Sequence, residues 1–286
     1  MPRGEANHCI FTQASGGVER QRSGLESRIM RAYVVDSFTD QAFSGNPAGV
    51  VLLDAPADAV WMQSVAAELK HSETAFVVVG SGAEPKPLRW FTPDTEVDLC
   101  GHATLATAHV LGGDQRFDTR SGVLTCTAGA DGWIEMDFPA DVPEPVEPSE
   151  ELIAGLPGLT IDEVAEGVSK VLVQARSAAE VRALHPDFDA LAQVPKQGVL
   201  VTAPGDTDDV DFVSRVFAPR VGIPEDPVTG SAHCTLAVWW APKLGRTEFV
   251  GEQASARGGT VGMVLRGDRV TLRGRAVTVL EGDLHA

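Results

Sequence analysis

The residues best able to do chemistry lie in two short stretches. One is Leu99-Cys100-Gly101-His102-Ala103-Thr104, and the other is Asp226-Pro227-Val228-Thr229-Gly230-Ser231-Ala232-His233. A Phe-x-Pro precedes each: Phe91-Thr92-Pro93 and Phe217-Ala218-Pro219. A run of small and apolar residues follows each and predicts a helix. The first N–H groups of a helix have no partner within it, and with the dipole they make an anion site. Glycine at that turn lets a ligand approach the backbone closely. Gly101, Gly230 and Ser231 are therefore candidates to hold a carboxylate or a developing enolate, provided both helix starts face one cleft. The plainer reading is that each glycine only shapes a turn. The repetition of the pattern, roughly half a chain apart, weighs against it.

Proton transfer needs groups whose charge changes near neutral pH. Glu73 sits at a turn-to-strand edge before an apolar run, and partial burial there would raise its pKa and make it a usable base. The alternative is a solvated acid at a strand end. His102 could be a proton shuttle, because the unperturbed pKa of histidine lies near neutral pH, or it caps or packs its helix. Asp226, held extended by Pro227, could orient His102 or cap the second helix. Ser231 and His233 stand two apart on a helix and face different ways, and no G-x-S-x-G elbow is present, so a serine hydrolase is not supported. Cys100 and Cys234 flank the motifs as possible thiol acid–base groups, although a buried thiol is usually inert. No metal is expected: there is no HExxH and no Cys/His cluster at zinc spacing. Gly80-Ser81-Gly82 fails as a dinucleotide loop because Pro85 and Pro87 bar the helix that must follow.

The elements that position these groups alternate along the chain. The net charge of −17 argues against nucleic acid and against an anionic membrane surface as partners, while leaving room for a small anionic metabolite. No apolar run approaches the roughly 20 residues of a membrane span. Four cysteines without a CxxC pattern suggest reduced thiols and a cytoplasmic protein. Residues 1–29 are polar, rich in Arg, Gly and Ser and aperiodic, which suggests a disordered extension. From Met30 strands predominate. Strands are expected at 31–36, 50–53, 75–79, 88–91, 122–127 and 133–138, with a turn over 43–49 and a helix over 57–70. The helix after Gly101 is small-residued and suited to burial. Residues 141–149 lie in a stretch rich in Pro and acids that reads as a linker. A second series follows, closed by a meander of strands at 260–265, 269–273 and 276–280. The expectation is an α+β fold of two related halves, 30–140 and 150–286, each with a sheet wrapped around one main helix and a cleft between them.

Taken in order, Asn46-Pro47, Ser72-Glu73-Thr74-Ala75-Phe76, Phe91-x-Pro93, Glu96-Val97-x-Leu99-Cys100-Gly101-His102-Ala103-Thr104 and Asp226-Pro227-x-Thr229-Gly230-Ser231-Ala232 resemble the PhzF-like family of phenazine-biosynthesis isomerases. The resemblance runs from about Met30 to the C-terminus. It implies the diaminopimelate-epimerase-like fold of two pseudo-symmetric domains with the site between them, and frequent homodimers. The phenazine enzyme isomerises trans-2,3-dihydro-3-hydroxyanthranilate without a cofactor, a glutamate carrying a proton from one ring carbon to another. By resemblance Glu73 is that acid–base, His102, Asp226 and Ser231 surround the substrate as proton-handling and binding groups, and the backbone near Gly101 and Gly230 holds its carboxylate. Epimerases of this fold use one cysteine per half. Cys100 fits the first position, but Thr229 stands at the second. The expectation is thus a cofactor-independent isomerase. The alternatives are a small-molecule binding protein on the same scaffold and a thiol-dependent racemase using Cys100 and Cys234.

Overall fold

A computed structural model describes residues 29–285. The expectation of a disordered extension falls outside these residues, apart from Ile29, which opens the first strand.

The chain builds the same series twice. The first half contains β1 (Ile29–Ser37), β2 (Asn46–Leu53), α1 (Ala59–Leu69), β3 (Glu73–Val78), β4 (Lys86–Phe91), β5 (Glu96–Val97), α2 (Gly101–Leu111), β6 (Gln115–Thr119), β7 (Gly122–Ala128) and β8 (Ile134–Pro139). After β9 (Glu144–Pro145) and α3 (Glu150–Gly155) the second half runs β10 (Ile161–Glu166), β11 (Lys170–Ala175), α4 (Ala178–Ala183), α5 (Phe188–Leu191), β12 (Gly198–Thr207), β13 (Val210–Ala218), β14 (Ile223–Asp226), α6 (Gly230–Leu244), β15 (Glu248–Gln253), β16 (Gly259–Arg266) and β17 (Arg269–Gly274). The last strand is β18 (Ala276–His285).

The pairings repeat as well. β2 and β3 are parallel, as are β11 and β12. The strands flanking each main helix are also parallel: β4 with β6 around α2, and β13 with β15 around α6. The halves join where β8 runs antiparallel to β17. Their tails are exchanged. β9, which follows the first half, pairs with β10, and β18, which follows the second, pairs along its length with β1. This corrects the expected closing meander: β17 pairs with β16 and β8, while β18 crosses to the other half. The proline-rich stretch after β8 is the counterpart of that crossing.

Other differences have local causes. The expected turn over 43–49 already contains the start of β2, because Asn46 and Pro47 pair with Ser37 and Asp36. Proline is tolerated so near a strand start. β10 carries no strand pattern in the sequence, because its Ile-Asp-Glu-Val-Ala-Glu buries only Val164 and Ala165. The two main helices are buried because they are small-residued. From His102 to Ala108 every residue of α2 is buried, so it has no solvated face to reveal by amphipathic spacing. One apolar core runs through both halves and includes Phe38, Leu105, Phe138, Leu236, Trp240 and Leu272. Among the described residues no helix is long and apolar enough to cross a membrane.

Candidate active site

The two main helices meet start to start. A Cβ added to Gly101 would lie 3.9 Å from the Cα of Gly230. Both N-cap residues, Cys100 and Thr229, are extended and neither caps its helix with a side chain. The first-turn N–H groups of α2 and α6 are thus left without side-chain caps at the edge of a cavity of about 420 Å³. Glu73, His102, Asp226, Gly101, Gly230 and Ser231 all line it. Leu99, Phe138, Ile223 and Val228 supply apolar wall.

Glu73 opens β3, and burial raises its pKa, opposed by hydrogen bonds from Ser72 and Cys100. His102 Nε2 lies 3.2 Å from Glu73 Oε2 and 3.2 Å from Ser72 Oγ. Burial, opposed by the charge of Asp226, lowers the His102 pKa to about 4 and keeps the ring neutral. The contact with Glu73 is then a hydrogen bond rather than an ion pair. We assign the ring hydrogen to Nε2, which faces the carboxylate. Nδ1 then lies 3.5 Å from the Cys100 sulfur, whose single hydrogen is directed at Glu73. Burial, reinforced by the Glu73 charge, pushes the Cys100 pKa well up, so the group stays a thiol.

Asp226 neither caps α6 nor hydrogen-bonds to His102. Its carboxylate accepts from Asn46 Nδ2 at 2.8 Å and from the Thr229 hydroxyl. Burial raises its pKa, with the His102 interaction as the leading opposing influence. Asn46 also donates to the Val228 carbonyl at 2.9 Å, and its Oδ1 lies 3.3 Å from the Ser72 hydroxyl oxygen. It therefore links the Glu73 turn of one half to the Asp226 turn of the other. Gln253 holds the second turn, donating to the Asp226 carbonyl at 2.7 Å and accepting from the Thr229 N–H at 2.8 Å.

Ser231 accepts a hydrogen bond from Lys170 Nζ at 2.9 Å. Lys170 is buried, and desolvation lowers its pKa. Cys234 also lines the cavity, but burial holds its pKa up at about 12. Glu73, Cys100 and His102 offer one donor atom each within 4.8 Å of one another, a carboxylate–thiol–imidazole set that a divalent metal could use. Lys170 and Gln253 left no mark in the sequence, since each lies in an ordinary strand; only Asn46, in its Asn-Pro pair, stood out.

Residues 35–282 match the family described as Phenazine biosynthesis-like protein. The chain belongs to the phenazine biosynthesis-like family. A family relative in Halalkalibacterium halodurans, named an uncharacterized isomerase, is 47% identical over 88% of this chain and 97% of its own length. The human phenazine biosynthesis-like domain-containing protein is 39% identical over 89% of this chain and 98% of its own. A crystal structure of a phenazine biosynthesis protein of the PhzF family from Enterococcus faecalis superposes with a TM-score of 0.86 at 38% identity, covering 91% of this chain and all of that one. A hydroxyproline epimerase from Agrobacterium vitis, 9% identical at a TM-score of 0.57, shares the fold alone. The family thus sits within the diaminopimelate and proline epimerase-like architecture.

Proposed function

We propose that this phenazine biosynthesis-like protein is a cofactor-independent isomerase that moves a proton on a small carboxylate-bearing metabolite. The observation that carries the proposal is the placing of Glu73, a desolvated carboxylate of raised pKa, beside neutral His102 and next to two facing, uncapped helix starts. Glu73 as carboxylate takes a proton from a carbon acid. The electron pair left on carbon delocalises onto an oxygen as an enolate-like charge, which the N–H groups of α2 and α6 stabilise. Glu73, now a carboxylic acid, returns the proton to another carbon of the same conjugated system. Substrate and product have the same composition, and no electrons leave. The neutral imidazole of His102 donates to Glu73 while it is ionised. Asp226, fixed by Asn46 and Thr229, shapes the pocket.

A thiol-dependent racemase is less well supported. Both thiols lining the cavity are held protonated by burial, and Thr229 stands where a second, cross-cavity cysteine belongs. Proton exchange by NMR in D2O tests the proposal, with trans-2,3-dihydro-3-hydroxyanthranilate and a panel of amino and hydroxy acids. Deuterium should enter one compound with native protein and none with Glu73→Gln. Exchange at the native rate in Glu73→Gln would overturn the assignment.

A further inference from the structure

Lys170 is the one buried lysine among the described residues, with 9% of its surface exposed. An ammonium carries three donors. Two are used on neutral oxygens, Ser231 Oγ at 2.9 Å and Ser169 Oγ at 3.1 Å. The third has no partner among the described residues, and Lys170 forms no salt bridge there. The two nearby carboxylates are committed elsewhere. Asp226 is bonded by Asn46 and Thr229, and Asp141 by the Val168 N–H at 3.1 Å and the Thr235 hydroxyl at 2.8 Å. A buried cation without a bonded anion is costly, and proteins rarely keep one unless something offsets the cost. Both serines that Lys170 touches line the cavity that Glu73 also lines.

We propose that Lys170 is the counter-charge for the anionic group of the substrate, acting through Ser231 and Ser169 in the wall of the cavity. The inference rests on reading this cavity as the substrate site. Because Lys170 donates to Ser231 Oγ, the Ser231 hydroxyl hydrogen is free to point into the cavity and meet a carboxylate. Charge-assisted bonds of this kind are roughly twice as strong as neutral ones. The substrate is then oriented by charge: its carboxylate lies at the start of α6 and its acidic C–H faces Glu73. Lys170 is a positioning residue in this arrangement and takes no proton from the substrate.

Benzoate and its uncharged analogue benzamide test this by calorimetric titration. Native protein should prefer benzoate by about tenfold. Lys170→Met should lose that preference, and Lys170→Arg should retain part of it. The melting temperature of Lys170→Met should hold or rise, because an unpaired buried charge is gone. If that variant does not fold, Lys170→Gln, which can still donate to either hydroxyl without the charge, gives the same reading. Native protein without a preference for benzoate would overturn the proposal. So would an undiminished preference in Lys170→Met, above all with a lowered melting temperature, which marks a structural strut. The two proposals fail separately. A Lys170-dependent preference without proton exchange in any compound leaves the counter-charge standing and removes the isomerase. Exchange in Lys170→Met with unchanged KM does the reverse.

Discussion

At the scale of single residues, the proposed chemistry depends on how water is kept from Glu73. A carboxylate in water is too weak a base for most carbon acids, and desolvation is what raises its pKa here. Glu73→Gln keeps the shape and removes the base, so kcat should fall on the order of 10²–10⁴-fold with little change in melting temperature. The pH profile has a definite sign. Glu73 must be ionised to begin, so activity should rise with pH through a limb above the ordinary carboxylate value of 4.5. Ser72 donates to Glu73 and holds its pKa down, so Ser72→Ala should move that limb to higher pH; an unmoved or lowered limb would show that the limb does not belong to Glu73. Cys100→Ser and Cys234→Ser together should leave most of the activity, which a thiol racemase could not survive. The sequence identified Glu73 by its place before an apolar strand and by its motif. It did not reveal Asn46 as the link to Asp226, because a hydrogen bond between residues so far apart in the chain depends on how the halves dock.

At the scale of elements, two buried helices of small residues let two sheets close around them, and their starts come close enough to share one cavity. Gly101 stands where the two helix starts meet. An added Cβ would touch only Gly230 Cα and Phe138 Cζ, each at 3.9 Å, which is ordinary contact. Gly101→Ala should therefore fold and be as stable as native protein or more so, by up to about 1 kcal/mol. The new methyl would nevertheless occupy the gap between the helix starts, so KM should rise several-fold. Thermal melting alongside steady-state kinetics checks both halves of this expectation. Helix starts, the main strands and the repeat of the two motifs were readable from spacing. Strands such as β10 were not, because few of their side chains meet a core.

At the scale of the whole molecule, the exchanged tails tie each half to the other, and stability belongs to both together. Buried histidines make that stability pH-dependent. His233 donates from Nδ1 to the Thr229 carbonyl at 2.8 Å, and its Nε2 is buried without a partner. Burial lowers its pKa to about 4, and that of His102 likewise to about 4. The folded state therefore binds fewer protons than the unfolded one between about pH 6.5 and pH 4, and stability falls as pH drops through that window. The contribution is roughly 3 kcal/mol for His233. Glu73 and Asp226, whose pKa values are raised, act in the opposite direction, losing stability as pH rises. Denaturant unfolding at pH 7 and pH 5 should show the acid loss in native protein and a smaller one in His233→Leu; equal losses would dismiss the role of His233. We also propose a homodimer, for which light scattering should return about twice 30.2 kDa.

The sequence alone determined that the chain is built twice, that each half centres on a glycine-led helix, and that a carboxylate and a histidine belong near those glycines. These are properties of spacing and residue type, and local physics reads them directly. Tertiary structure decided where the last strand goes, which residue bridges the two turns, and that Lys170 is buried behind Ser231. Strand order, cross-chain hydrogen bonds and desolvation depend on which distant segments exclude water together, and no window of sequence contains that information.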